Sequence, residues 1–198
     1  MIPQITGEYI RDRIKNTVHP SFFETPFEEY KGPLRRAAVL IPLARIDGEW
    51  HLLFTRRTDS VDHHKGQVSF PGGRTDAEDE SPEATALRET YEEVGIKNVD
   101  VQLLGVLGEY LTVSNYLITP VVGIIPWPYT FTIHTPEVGR VFTIPLSWLA
   151  DASHHQELVR KETGSGFITY LPYDGELLWG VTARITVNFL MALGLAEK

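Results

Sequence analysis

The chain has 198 residues, 42% hydrophobic and 22% charged, which is enough apolar side chain for one domain with its own core and too much for a disordered chain. Its 26 acidic against 18 basic residues give a formal charge of −8, which disfavours a surface that grips nucleic acid through phosphates. With no cysteine there can be no disulfide, thiolate metal site or thiol nucleophile.

The longest apolar run, residues 37–44, is far too short for a bilayer and contains Pro42. The opening Met1-Ile2-Pro3-Gln4 has no basic stretch leading into an apolar core. Neither a membrane span nor a signal peptide or lipid anchor is expected, and the expected location is cytoplasmic.

In chain order, Tyr9, Ile10, Ile14 and Val18 recur at helical spacing, and His19-Pro20 should end that helix. The proline-rich stretch after it reads as an arm, so residues 1–33 are taken as an N-terminal helix and arm and residues 34–198 as the main domain. The apolar arm helix must pack on something, the domain or a second copy, which leaves a homodimer open. Residues 37–46 and 51–57 flank Asp47-Gly48 and read as a β-hairpin. Further strands are expected at residues 103–109, 118–125, 141–144, 167–171 and 177–179, and a closing helix over 182–196 that Gly194 interrupts. Trp148 and Trp179 read as core residues. The sum is a mixed α/β domain with helices covering strands.

One helix stands out. Ser81 suits the N-cap, Pro82 the first turn and Gly95 the left-handed C-terminal position. Ala84, Leu87, Tyr91 and Val94 form an apolar stripe expected to face the core. Glu89, Glu92 and Glu93 fall together on another face, near the helix end where the dipole disfavours anions. A divalent cation would relieve that repulsion, and hard oxygen donors suit Mg²⁺ or Mn²⁺. Just upstream, Phe70-Pro71-Gly72-Gly73 can approach a metal or a phosphate through its backbone. A glycine loop, clustered carboxylates and Arg88 are the parts for metal-assisted attack of water on a phosphate anhydride.

The run Gly73…Glu80…Arg88-Glu89-Thr90-Tyr91-Glu92-Glu93-Val94-Gly95-Ile96 resembles the Nudix box: Gly, five residues, Glu, seven residues, then Arg-Glu-apolar-any-Glu-Glu-any-Gly-apolar. Here six residues separate Gly73 from Glu80, and Thr90 stands where an aliphatic residue is usual. The extra residue is expected to lengthen the loop, as in the coenzyme A pyrophosphatase branch. Residues 53–57 and 64–73 resemble that branch's upstream signature, with Asp62 at a position where the branch usually has arginine. Residues 118–125, 137–149 and 178–184 resemble its later segments, so the likeness covers about residues 34–192.

The resemblance implies the Nudix α/β/α sandwich with a mixed β-sheet. It implies Mg²⁺ or Mn²⁺ held by Glu89, Glu93, Glu92 and the Gly72 carbonyl, with Arg88 positioning a helix carboxylate and Glu137 as candidate base. Arg56, Arg57, Lys65, Gly72 and Gly73 would meet the substrate, a small nucleotide diphosphate. The implied reaction splits coenzyme A or acyl-coenzyme A into 3′,5′-ADP and (acyl-)4′-phosphopantetheine. Hydrolysis of ADP-ribose, NADH or a dinucleotide is the alternative. A non-catalytic binding module is a third reading, against which all three box glutamates are present.

Overall fold

The computed structural model describes residues 5–17, 19, 21–23, 32–58, 66–159 and 166–196. The elements are α1 (Gly7–Asn16), β1 (Phe22–Phe23), β2 (Arg35–Ile46), β3 (Glu49–Arg57), β4 (Val68–Ser69), β5 (Gly72–Arg74) and α2 (Pro82–Val94). There follow β6 (Gln102–Val106), β7 (Tyr110–Leu111), β8 (Tyr116–Ile124), β9 (Val138–Pro145), α3 (Leu146–Ala150), β10 (His155–Val159), β11 (Gly166–Tyr170) and α4 (Gly180–Leu193). Asp62 and Lys65, and Val18 and Pro20 at the expected end of the first helix, lie outside the described residues.

The sheet is mixed. β2 runs parallel to β8 and antiparallel to β3, the partner joined to it by the Asp47-Gly48 turn, where both residues have the positive φ that a two-residue hairpin needs. β2 and β3 pair only over residues 43–46 and 49–52. Beyond that, β5 pairs with β2 and β4 with β3, so the β4–β5 wedge holds the two long strands apart. That wedge carries the glycine loop into the sheet.

Side chains alternate across β2: Ile41 and Leu43 belong to the main core, whereas Ala38, Leu40 and Ala44 lie on the other face. The main core is closed by α1, α3 and α4, and the opposite face by α2 against β2, β5 and β8. This is the expected α/β/α sandwich. The arm helix is tied to α4, with the Tyr9 hydroxyl donating to the Leu193 carbonyl at 2.9 Å and Arg13 Nε to the Ala192 carbonyl at 2.8 Å.

Some local expectations need correction. Residues 177–179 are not a strand: Trp179 makes one isolated bridge to Thr169. Gly194 does not interrupt the last helix but caps it, at φ 73°, and that helix starts earlier, at Gly180. The residues taken as a plain glycine loop include a short strand, β5.

Candidate active site

α2 begins and ends where its sequence says. The Ser81 hydroxyl accepts from Ala84 N–H at 3.1 Å, and Gly95 adopts φ 74°. Its orientation differs from the apolar stripe, however. The buried residues are Thr85, Ala86, Thr90, Glu93 and Val94, while Tyr91 is 55% exposed. Thr90 tolerates burial because its hydroxyl donates to the Ala86 carbonyl at 2.6 Å. This rotation turns Glu93 and Glu89 towards the glycine loop.

Glu93 is 5% exposed, and one carboxylate oxygen accepts from Gly72 N–H at 3.3 Å. Burial pushes its pKa from 4.5 up to about 8, and neighbouring Glu89 and Glu137 push the same way, against the Gly72 hydrogen bond and Arg57. Burial likewise raises Glu89, against the pull of Arg88. The loop fits these carboxylates only because it has no side chains. A Cβ on Gly73 would lie 2.5 Å from the Glu89 carboxylate, and one on Gly72, at φ 153°, 2.4 Å from the Ala38 carbonyl oxygen.

Arg88 is the hub of the loop. Its Nε and Nη2 donate to the two oxygens of Asp79, at 3.0 and 2.8 Å, and Nη2 also reaches the Arg74 carbonyl at 2.9 Å. Nη1 donates to Glu89 at 3.0 Å and Glu92 at 3.3 Å, and Asp76 lies 3.6 Å from Nη2. The bond from Arg88 holds the Asp79 carboxyl well below the usual carboxylate range. The family's spacing had pointed to Glu80 from the helix side. Counted from Gly73, five intervening residues lead instead to Asp79, and that residue makes the contact. The extra residue is therefore Glu80 itself, exposed at the mouth of the helix.

Glu137 is delivered by a segment that crosses the end of α2. Thr132 N–H donates to the Val94 carbonyl and His134 N–H to the Glu93 carbonyl, satisfying groups the helix leaves open. A turn back to His134 and a bond from Thr58 N–H to the Glu137 carbonyl then fix Glu137 between α2 and the end of β3. It lies close enough to contribute to the field at Glu93.

The two arginines of β3 separate. Arg57 belongs with the Glu93 side of the sheet, where its field acts on that carboxylate, and its buried Nε has no hydrogen-bond partner among the described residues. Arg56 lies 3.4 Å from Glu176, which also accepts from Arg140 at 3.0 Å. Arg56, expected to meet the substrate, is held by this ion pair in the ligand-free protein. Asp174 binds Arg140 as well, from the tight turn over residues 173–176.

These side chains are neighbours but do not converge on one point: among the described residues no three histidine or acidic side chains are gathered to hold a metal ion. Glu92 in particular points out, its side chain 55% exposed. The donor chemistry nonetheless suits a hard divalent cation, since Glu93 is a buried carboxylate within the field of Glu89 and Glu137, beside a loop only glycines allow.

A model of the NUDIX domain matches residues 34–160. The chain is 38% identical over 186 residues to proteins named uncharacterized Nudix hydrolase NudL in Yersinia pestis (strain Pestoides F) and in Yersinia pseudotuberculosis serotype O:1b (strain IP 31758), covering 91% of this chain and 93% of each relative. Among solved structures, a MutT/nudix family protein from Enterococcus faecalis aligns over 97% of this chain and 81% of its own, with TM-score 0.52 and 12% identity. The Nudix hydrolase RenU from M. smegmatis aligns over 62% of this chain and 76% of its own, with TM-score 0.51 and 21% identity. Both share the fold of this chain. With the family model spanning more than half of the sequence and relatives matched along nearly all of it, this protein belongs to the Nudix hydrolase family.

Proposed function

We propose that the protein is a Mg²⁺- or Mn²⁺-dependent pyrophosphohydrolase of coenzyme A or acyl-coenzyme A, acting in the cytoplasm. Nudix hydrolases cleave phosphoric anhydrides of nucleotide-derived molecules and generally use divalent metal ions. The observation that carries the catalytic reading is the buried Glu93 carboxylate, set against the Gly72 amide beside Glu89. The substrate rests on the upstream and closing sequence segments that resemble the coenzyme A branch.

In this reading Glu93, Glu89, Glu92 and the Gly72 carbonyl hold the metal. The ion, when bound, offsets phosphate charge and lowers the pKa of water. Arg88, braced by Asp79, keeps Glu89 in place. Arg57 is the cation for the substrate's phosphates. Glu137 takes the proton from the attacking water. Gly72 and Gly73 let the phosphates approach the backbone, and Lys65, in sequence beside this loop, adds charge. Residues 34–198 form the catalytic domain and residues 1–33 an N-terminal helix and arm, of which α1 packs on that domain.

Asp62, in place of the usual arginine, favours a second reading in which the same machinery cleaves another nucleoside diphosphate derivative such as ADP-ribose, NADH or a dinucleotide. Incubation with either metal and a panel of coenzyme A, acetyl-coenzyme A, ADP-ribose, NADH and a diadenosine polyphosphate separates the two. Preference for the first two compounds supports the proposal, and preference for any other transfers it to the second reading.

A further inference from the structure

A cavity of about 590 Å³ opens between the β2–β3 hairpin, α3, and the residues that lead into α1 and out of α4. Its volume lies within the ~300–1,000 Å³ of small-molecule sites. It is remote from the glycine loop. Arg45, on the rim, stands well along β2 from Val39, which pairs with Gly72, so the two places are roughly 20 Å apart on the strand.

Ile5, Trp50, Leu146, Ala150 and Leu195 give the cavity an apolar floor. Trp50 and Leu146 are 9% and 3% exposed, so the floor is recessed and does not protrude as a patch. In a two-fold pairing, a second copy of the chain would bring the same hollow to face it and leave both unfilled. The concave shape fits a small molecule.

Three charged side chains stand on the rim: Arg45, Glu49 and Asp151. None of them forms an ion pair among the described residues. Arg45 is already oriented. Its guanidinium lies 5.3 Å from the centre of the Trp50 ring, and Nη1 donates to the Ile5 carbonyl at 3.4 Å, which also accepts from Trp50 Nε1 at 2.8 Å. Its Nε and Nη2 have no partner among the described residues, which leaves donors for a carboxylate.

The two acids are held as well. One oxygen of Glu49 accepts from Ser147 N–H at 3.3 Å, and one oxygen of Asp151 accepts from the Ser153 N–H and hydroxyl at 2.8 and 2.7 Å. Each keeps a second oxygen for an ammonium group. The Ser153 bonds also hold Asp151 below the usual carboxylate range, so it is ionised at neutral pH. A purely anionic ligand would meet two carboxylates, and a purely cationic one would meet the guanidinium. A ligand with both charges matches the rim, and an apolar body matches the floor.

We propose that this cavity binds an apolar zwitterion, an amino acid or dipeptide, with its carboxylate on Arg45, its ammonium at Glu49 and Asp151 and its side chains over Trp50. The site is separate from the anhydride chemistry and does not depend on it.

Isothermal titration of the full chain in EDTA tests it, with leucyl-phenylalanine as the probe. N-acetyl-leucyl-phenylalanine lacks the ammonium and leucyl-phenylalaninamide lacks the carboxylate, on the same body. The expected result is saturable binding of the free dipeptide, with each blocked form at least about tenfold weaker, the scale of one charge-assisted contact. Arg45→Met should weaken the free dipeptide about tenfold without weakening the amide further. Asp151→Asn should weaken the free dipeptide without weakening the acetylated form further. The absence of saturable binding at millimolar concentration overturns the proposal, as does a blocked form that binds as tightly as its parent. Undiminished binding by a folded Arg45→Met or Asp151→Asn protein overturns it too, and either variant suffices if the other fails to fold. Sedimentation that finds a wild-type dimer dissociated by Arg45→Met would give this face to a second copy and also overturn it.

Discussion

Arg88 and Asp79 form a two-bond clasp, Nε to Oδ1 at 3.0 Å and Nη2 to Oδ2 at 2.8 Å, that ties the middle of α2 to the loop before it. Asp79 also accepts from the Thr85 hydroxyl and the Asp76 N–H, so it organises the loop as well as the arginine. Replacing it should free Arg88 to shift off Glu89. Asp79→Ala is expected to cost about 2 kcal/mol of stability, the scale of charge-assisted hydrogen bonds, and to reduce kcat. Glu80→Ala should do neither. Thermal melts and steady-state kinetics of the two variants check this. The reverse ranking would show that Glu80 is the functional box residue.

The glycine loop gives a sharper separation of stability from activity. Gly73→Ala places a Cβ 2.5 Å from the Glu89 carboxylate, the end of a side chain that can move. Its stability should change little, and its activity should fall steeply because Glu89 is displaced. Gly72→Ala meets the backbone of β2 at 2.4 Å and at φ 153°, where nothing can yield. It should lose well over about 1 kcal/mol of stability through backbone strain alone. Chemical denaturation paired with activity assays distinguishes the two.

Glu93 makes the stability of the metal-free protein depend on pH. Its folded pKa, about 8, is above its ordinary 4.5. Between those values the folded state keeps a proton that the unfolded chain releases. Stability conferred by that proton is complete below the lower value and is lost as pH rises to the upper one, with a slope of at most about 1.4 kcal/mol per pH unit. In EDTA, the melting temperature of Glu93→Gln should therefore gain on the wild type steadily from pH 5 to 8. Metal binding has the opposite sign: it needs the ionised carboxylate, so affinity for Mg²⁺ should rise with pH over the same window and be weak in Glu93→Gln.

The adjacent arginines of β3 should differ in effect. Arg57→Met removes the cation beside Glu93 and is expected to cost at least about tenfold in kcat/KM, on the scale of a lost charged contact to a phosphate. Arg56→Met breaks the pairing with Glu176 and should act mainly on stability, with an effect that shrinks in high salt. Kinetics and melts at two ionic strengths separate these outcomes.

The fold was legible where local chemistry dictates structure. Asp47-Gly48 specified its hairpin, and Ser81, Pro82 and Gly95 bounded α2, because caps and turns depend on single residues. The buried face of α2 was not legible. Counting apolar residues favours Leu87 and Tyr91, yet the helix buries Glu93 and Thr90, an arrangement that hydrophobic patterning disfavours and that fits a functional site. Asp79 was hidden by reading the box from its helix end, although its distance from Gly73 identified it. The engagement of Arg56 depended on Glu176, a residue far away in sequence that only the fold brings near. Trp179 was misplaced because an aromatic residue next to a buried leucine looks like core until the neighbouring strand and helix leave it a cavity.

The most direct test of the central claim is chromatographic analysis of coenzyme A incubated with the wild type in Mg²⁺, in EDTA, and with Glu93→Gln in Mg²⁺. The expected result is 3′,5′-ADP and 4′-phosphopantetheine in equal amounts from the first reaction, and intact coenzyme A from the other two. Cleavage that survives EDTA or the loss of the Glu93 charge, or coenzyme A left intact by the wild type in Mg²⁺, would contradict it.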